Sequence, residues 1–149
     1  MSIAERPNGD TVRRLRSLQV VTRVSYLRAL RTAAEGTTQS QLARDIGISQ
    51  PSVNSALKSA AAVPDVRPGF SGATPYEIAQ RYDAGELTRE QVIDELGRWP
   101  YRPGSPSDGY DWTTLDPGEF EEVGRALTEH LIDADAYDEI LDRYSEQGR

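Results

Sequence analysis

The stretch Thr37–Leu57, TTQSQLARDIGISQPSVNSAL, decides the reading of this chain. Leu42 and Ala43 are the inward-facing pair of a first short helix, capped by Thr37 or Thr38 and opened by Gln39. Gly47 comes four residues after Ala43. The chain needs there either a positive φ or a close backbone approach, and glycine supplies both at low cost. Ser49 stands where a helix N-cap belongs. Val53 and Leu57 repeat at i, i+4 and anchor a second helix. The residues left over on that helix, Gln50, Ser52, Asn54 and Ser55, are short hydroxyls and amides that suit base edges in a major groove. A helix pair packed for its own sake also uses the pattern L-A-x-x-x-G. Gly at the turn, Ser at the cap and Gln at both helix starts together are not expected of such a pair by chance.

The pattern Q-x-x-L-A-x-x-I-G-I-S-Q-x-x-V, from Gln39 to Val53, resembles the lambda-repressor/Cro-like (XRE-type) branch of the helix-turn-helix family. The resemblance covers the 21 residues quoted, and more with the helix before them. It implies that Gln39 contacts a phosphate from the start of the first helix. It implies that Gln50 opens the recognition helix and pairs bidentately with adenine. It implies that Pro51, Ser52, Asn54 and Ser55 reach bases or backbone. Pro51 departs from the usual polar residue. It suits the first helical turn, where a missing N–H is no loss, but it donates no hydrogen bond to a base. Readout there is limited to contact with a thymine methyl. With Ser40, Ser49 and Lys58, the expected DNA-binding set is Gln39, Ser40, Ser49, Gln50, Pro51, Ser52, Asn54, Ser55 and Lys58.

Composition removes several other functions. The 149 residues suffice for one modest domain or two small ones. There is no cysteine and a single histidine, His130, so no disulfide, thiol nucleophile or Cys/His zinc site is available. Asp133, Asp135 and Asp138 fail as a calcium loop. Counting from Asp133, the sixth position is Asp138 where Gly is wanted, and the twelfth is Tyr144 where an acid is wanted. Carboxylate neighbours such as Glu121/Glu122 and Asp94/Glu95 are expected in so acidic a region and do not single out a general acid and base. No Gly-rich phosphate loop is present. The expectation is a protein that is not an enzyme and takes no cofactor and no metal. No apolar run has the length of a membrane span, and the N-terminus lacks a signal-peptide core. A cytoplasmic, nucleoid-associated bacterial location is expected, with no membrane partner.

The net charge of −7 hides a split. Residues 1–70 carry ten Lys/Arg and five Asp/Glu, for +5, and residues 71–149 carry seven and nineteen, for −12. A basic half can meet phosphates, whereas an acidic half repels them. Arg13, Arg14, Arg16, Arg23, Arg28 and Arg31 all lie in the first region and read as DNA-backbone contacts or as a solvated face. The expected fold class is all-α. A helix-turn-helix DNA-binding domain over 1–66 precedes an acidic helical-hairpin region over 67–149 for protein interaction or dimerisation.

Residues 1–9 read as an arm, and Asp10 as the cap of a long helix from Thr11. Val20, Val24, Leu27, Leu30 and Ala34 form its apolar stripe, extended earlier by Val12, Leu15 and Leu18. SAAAVPDVRPGFSGATP reads as a linker or extended segment, with Arg67 available for a phosphate. Beyond it, 77–99 aligns with 122–144 at an offset of 45, and Thr88 and Asp133 both look like N-caps. Each unit reads as a helix, a tight turn and a helix. Between them, Trp99, Tyr101, Tyr110 and Trp112 either fold back on the helices or form an aromatic, acidic docking surface.

Together these features predict a sequence-specific transcriptional repressor that binds double-stranded operator DNA. Its layout resembles the antitoxin of a toxin–antitoxin pair, which represses its own operon and neutralises a toxin through the acidic half. The alternative is a phage or prophage immunity repressor whose C-terminal half forms a homodimer. A pure interaction module with a degenerate helix-turn-helix is the third reading, and it predicts no salt-sensitive DNA binding.

Overall fold

The computed structural model describes residues 6–102 and 119–147. The start of the expected arm (residues 1–5) and the aromatic residues Tyr110 and Trp112 lie outside them. All seven regular elements among the described residues are α-helices. Helix α1 spans Gly9–Ala34. Its cap is Asn8, not Asp10: Asn8 Oδ1 accepts from the Thr11 N–H at 3.0 Å, while Asp10 pairs with Arg13 within the first turn at 2.7 Å. Its buried residues are Ser17, Val21, Leu27 and Leu30, spread over more than one face of the helix. Val20, expected inward, is 36% exposed, and its neighbour Val21 takes the buried place.

The chain divides into two compact units, 19–65 and residues up to 18 together with 66 onward. In the first, α2 (Gln39–Ile46) and α3 (Gln50–Ala60) pack together and on the second part of α1. Leu30, Leu42, Ala43 and Val53 form the buried cluster, with Ala34, Ala56 and Leu57 half-buried against it.

In the second unit, α4 (Pro75–Asp83), α5 (Arg89–Arg98), α6 (Glu121–Thr128) and α7 (Ala134–Gln147) surround a larger core. α5 packs along α7, α4 on α6, and each helix also packs on its chain neighbour, α4 on α5 and α6 on α7. Ile78, Val92, Leu96, Val123 and Ile140 are almost wholly excluded from solvent. The two helix pairs repeat their local geometry at the offset of 45. Ile78 and Val123 are both buried. Gly85 and His130 both take a positive φ, 90° and 64°. The Glu86 N–H donates to the Arg81 carbonyl at 2.9 Å, and the Leu131 N–H to Ala126 at 2.9 Å, so both turns close with the same wide hydrogen bond. The Thr88 hydroxyl caps α5 by accepting from the Gln91 N–H, and Asp133 caps α7 by accepting from Ala136.

The Pro- and Gly-rich segment after α3 is held in place along its length. Arg31 Nη1 donates to the Ala60 and Val63 carbonyls at 2.6 and 2.7 Å, and Arg28 Nε to that of Pro64 at 3.0 Å. Further on, Phe70 meets Trp99 edge-on at 4.7 Å, and the Ser71 hydroxyl donates to Glu95 at 2.8 Å. Trp99 and Tyr101 fold inward: Trp99 is 2% exposed, and Tyr101 packs edge-on to Phe120 and Tyr144. Burial drives the Tyr101 phenol to a raised pKa, with nearby Glu122 adding to it. The Trp99 indole N–H is a buried donor with no acceptor among the described residues.

Candidate nucleic-acid interface

Three local devices set the angle between α2 and α3. Thr38 caps α2 by accepting from the Gln41 N–H at 3.1 Å. Gly47 ends it at φ 76°, ψ 30°, with its N–H donating to the Ala43 carbonyl. A Cβ at Gly47 would meet nothing within 4 Å, so glycine is needed for its φ and not for a close approach. Ser49 then caps α3, accepting from the Ser52 N–H at 3.2 Å, and Pro51 occupies the first turn. An uncapped end would leave backbone donors to water and cost about 1 kcal/mol per helix.

With Val53 and Ala60 buried and Ala56 and Leu57 half-buried, the rest of α3 turns outward. Gln50, Pro51, Ser52, Asn54, Ser55 and Lys58 are all exposed, as are Ser40 and Ser49, whereas Gln39 is half-buried. α3 contains no acidic residue, and its one charge is Lys58 in the last turn. Two of the expected contact residues are also joined across the turn: the Ser40 hydroxyl donates to Gln50 Oε1 at 3.1 Å. The Ser49 and Ser52 hydroxyls lie 2.8 Å apart, so Ser49 serves the helix end itself. On α2, Arg44 and Gln41 form a surface chain with Asp45.

The arginines of α1 sort into two groups. Arg13 grips Asp83 at 3.0 Å and Asp10 at 2.7 Å, and its hydrogen bond to Asp83 raises its pKa further against the opposing effect of burial. The buried Ser17 adds a hydrogen bond, donating to the buried Asp83 at 2.7 Å. Arg28 and Arg31 spend their donors on carbonyls following α3, and Arg31 also pairs with Asp65 at 2.6 Å. Arg14, Arg16 and Arg23 are exposed. Of the six, then, Arg13, Arg28 and Arg31 hold the protein together, and only the exposed three present their charge outward. Arg67 lies over the Trp99 ring at 5.1 Å.

Sequence reading missed the role of Arg31, which holds the end of α3. The available signal was general: a helix C-terminus attracts a cation, but nothing in the sequence says which cation reaches it. No helix among the described residues is long and apolar enough to cross a membrane. No group of three or more His, Asp or Glu placed to hold a metal ion occurs among them. The chain matches no family model, no curated protein and no solved structure.

Proposed function

We propose that this protein is a sequence-specific DNA-binding transcriptional repressor, with α2 and α3 acting as a helix-turn-helix and α3 entering the major groove. One observation carries the reading. Pro51 apart, the outward face of α3 is polar, free of carboxylates and ended by a lysine, on a helix held by capped ends and an anchored C-terminus. Such a face offers hydrogen bonds to base edges with no charge repelled by phosphate. Gln50 is the residue assigned to adenine, and Ser52, Asn54 and Ser55 to neighbouring bases or backbone. Gln39 and Lys58 are assigned to phosphates.

The experiment is operator selection from random duplexes, followed by titration of parent and Gln50→Ala. The expected loss is about 1–3 kcal/mol, confined to the preferred sequence, with relaxed preference at one base position. Equal affinity of variant and parent for the selected operator would remove Gln50 from the interface.

The acidic unit suits a different partner. Residues 71–149 carry −12, a field that repels DNA and attracts a basic protein surface. A toxin with a cationic RNA- or nucleotide-binding cleft fits this chemistry, which makes the protein an antitoxin that represses its own operon. Stoichiometric recovery of a basic partner with the intact chain, lost as salt rises, is the expected outcome.

A further inference from the structure

A groove of about 800 Å³ opens in the larger unit and is lined only by residues of that unit. Two turns that repeat each other make most of it. Gly85 and Leu87 come from the turn between α4 and α5, and His130 and Ile132 hold the matching places between α6 and α7. The start of α1 adds Arg13 and Arg14. Glycine takes the positive φ of the first turn without cost, whereas His130 holds it with a side chain attached. That conformation is uncommon outside glycine, and strained residues of this kind cluster at binding sites.

The polar side chains of the groove differ in whether they already have partners. All three carboxylates are engaged. Asp83 accepts from Arg13 and Ser17, Asp10 pairs with Arg13, and Asp133 caps α7 and pairs with Arg89. The side chains of Arg14, Tyr82 and His130 make no hydrogen bond or ion pair among the described residues. Each of these three carries an N–H or O–H donor. The groove therefore leaves donors open, beside the apolar side chains of Leu87, Leu131 and Ile132.

We propose that this groove binds a small organic monoacid, its carboxylate taken by Arg14 with His130 as second donor, and its apolar body lying over Leu87, Leu131 and Ile132. The volume is that of a small-ligand site. The charges select the class of ligand. A cation would have to displace an ion pair or a helix cap, since no carboxylate of the groove lacks a partner. Arg13 and Arg14 against Asp10, Asp83 and Asp133 leave the lining at −1, within a region that carries −12. A dianionic phosphate is repelled there twice as strongly as a monoanion, and it has no apolar body to offset the repulsion.

The test is titration of the full isotope-labelled chain with 4-phenylbutyrate, followed through its amide resonances. 4-Phenylbutyramide serves as the uncharged match and inorganic phosphate as the bare anion. The carboxylate is expected to shift the amides of 84–87 and 130–133 saturably, with a Kd of about 1 mM for a ligand of this size. The uncharged amide should bind about tenfold more weakly, and phosphate at equal concentration should not compete. Arg14→Gln and His130→Gly should each weaken the carboxylate about five- to tenfold. Both should keep the helical spectrum, since Arg14 is exposed and glycine relieves the backbone at 130. Arg23→Gln, at an exposed arginine of the other unit, should leave binding as it is. Equal affinity for the acid and its amide, displacement by phosphate, binding that survives both variants, or no saturable shift below about 10 mM overturns the proposal.

Discussion

The two units of this chain reach order by different routes. Residues 19–65 have a buried apolar cluster of Leu30, Leu42, Ala43 and Val53. The cluster of the other unit has twelve members, from Ile78 to Ile140, with eight more aromatic or aliphatic residues packed against it. A segment as short as 19–65 buries too little to supply more than a few kcal/mol. α2, with eight residues, is also far too short to be stable alone. Its geometry is instead specified at its ends, by the Thr38 and Ser49 caps, the left-handed Gly47 and the Arg31 clamp after α3. The region assigned to DNA is therefore set by local backbone chemistry, and the region assigned to a protein partner by its core.

Truncating each core should expose this difference. Leu96, fully buried between α5 and its neighbours, should cost about 3–5 kcal/mol as Leu96→Ala. Leu42→Ala removes a similar side chain from the smaller cluster and should cost about 2–3 kcal/mol. Because its unit has little to lose, protection of the α2 and α3 amides against hydrogen exchange should vanish while that of α5 and α7 persists. If Leu42→Ala and Leu96→Ala abolish protection everywhere alike, the chain unfolds as one body and the contrast is void.

Turn substitutions give a smaller effect and compare the units at matched backbone conformations. Gly47 and Gly85 both sit at positive φ with open space where a Cβ would go. Alanine at either costs only the left-handed conformation, about 1–2 kcal/mol. That is a larger share of the stability of 19–65, so Gly47→Ala should loosen α2 and α3 while Gly85→Ala leaves its helices protected. His130 is the natural control, since it already bears a side chain at φ 64°. His130→Gly should raise the denaturation midpoint by a stabilisation of about 0.5–1 kcal/mol, part of the strain relief being offset by the freer unfolded chain. A destabilised His130→Gly would mean that the imidazole makes a contact worth more than the strain.

Local signals were legible in the sequence, and long-range pairings were not. Ser49 and Gly47 are recognised from residue type because a cap and a left-handed turn act within four residues. The inward side of α1 is a one-residue choice between Val20 and Val21, and adjacent valines give periodicity no means to decide. Asn8 and Asp10 pose the same problem at its start. The segment after α3 reads as a linker because its restraints come from Arg28, Arg31 and Glu95, at least 24 residues away in sequence. Charge counting misled in a similar way. Half of the arginines in the first helix are committed to Asp83 or to carbonyls, so the +5 of residues 1–70 overstates the charge open to phosphate.

Alkaline titration should give the smallest change and should report on the core-built unit alone. Burial, then the hydrogen bond and the charge of Glu129, push the Tyr76 phenol up to about 12 from its ordinary 10. The folded state therefore holds this proton more tightly than the unfolded chain. The stability it contributes is fully present below pH 10 and is lost as pH rises through about 12. Tyr76→Phe removes the titrating group and should flatten this part of the decline, at the cost of one hydrogen bond to a side chain that stays wet. The decline should appear in the α4–α7 amides, since Tyr76 lies in the first turn of α4 and packs against that core. If Tyr76→Phe leaves the slope between pH 10 and 12 unchanged, then Tyr101, more deeply buried, or repulsion among the nineteen carboxylates of the acidic half sets the alkaline limit of that unit.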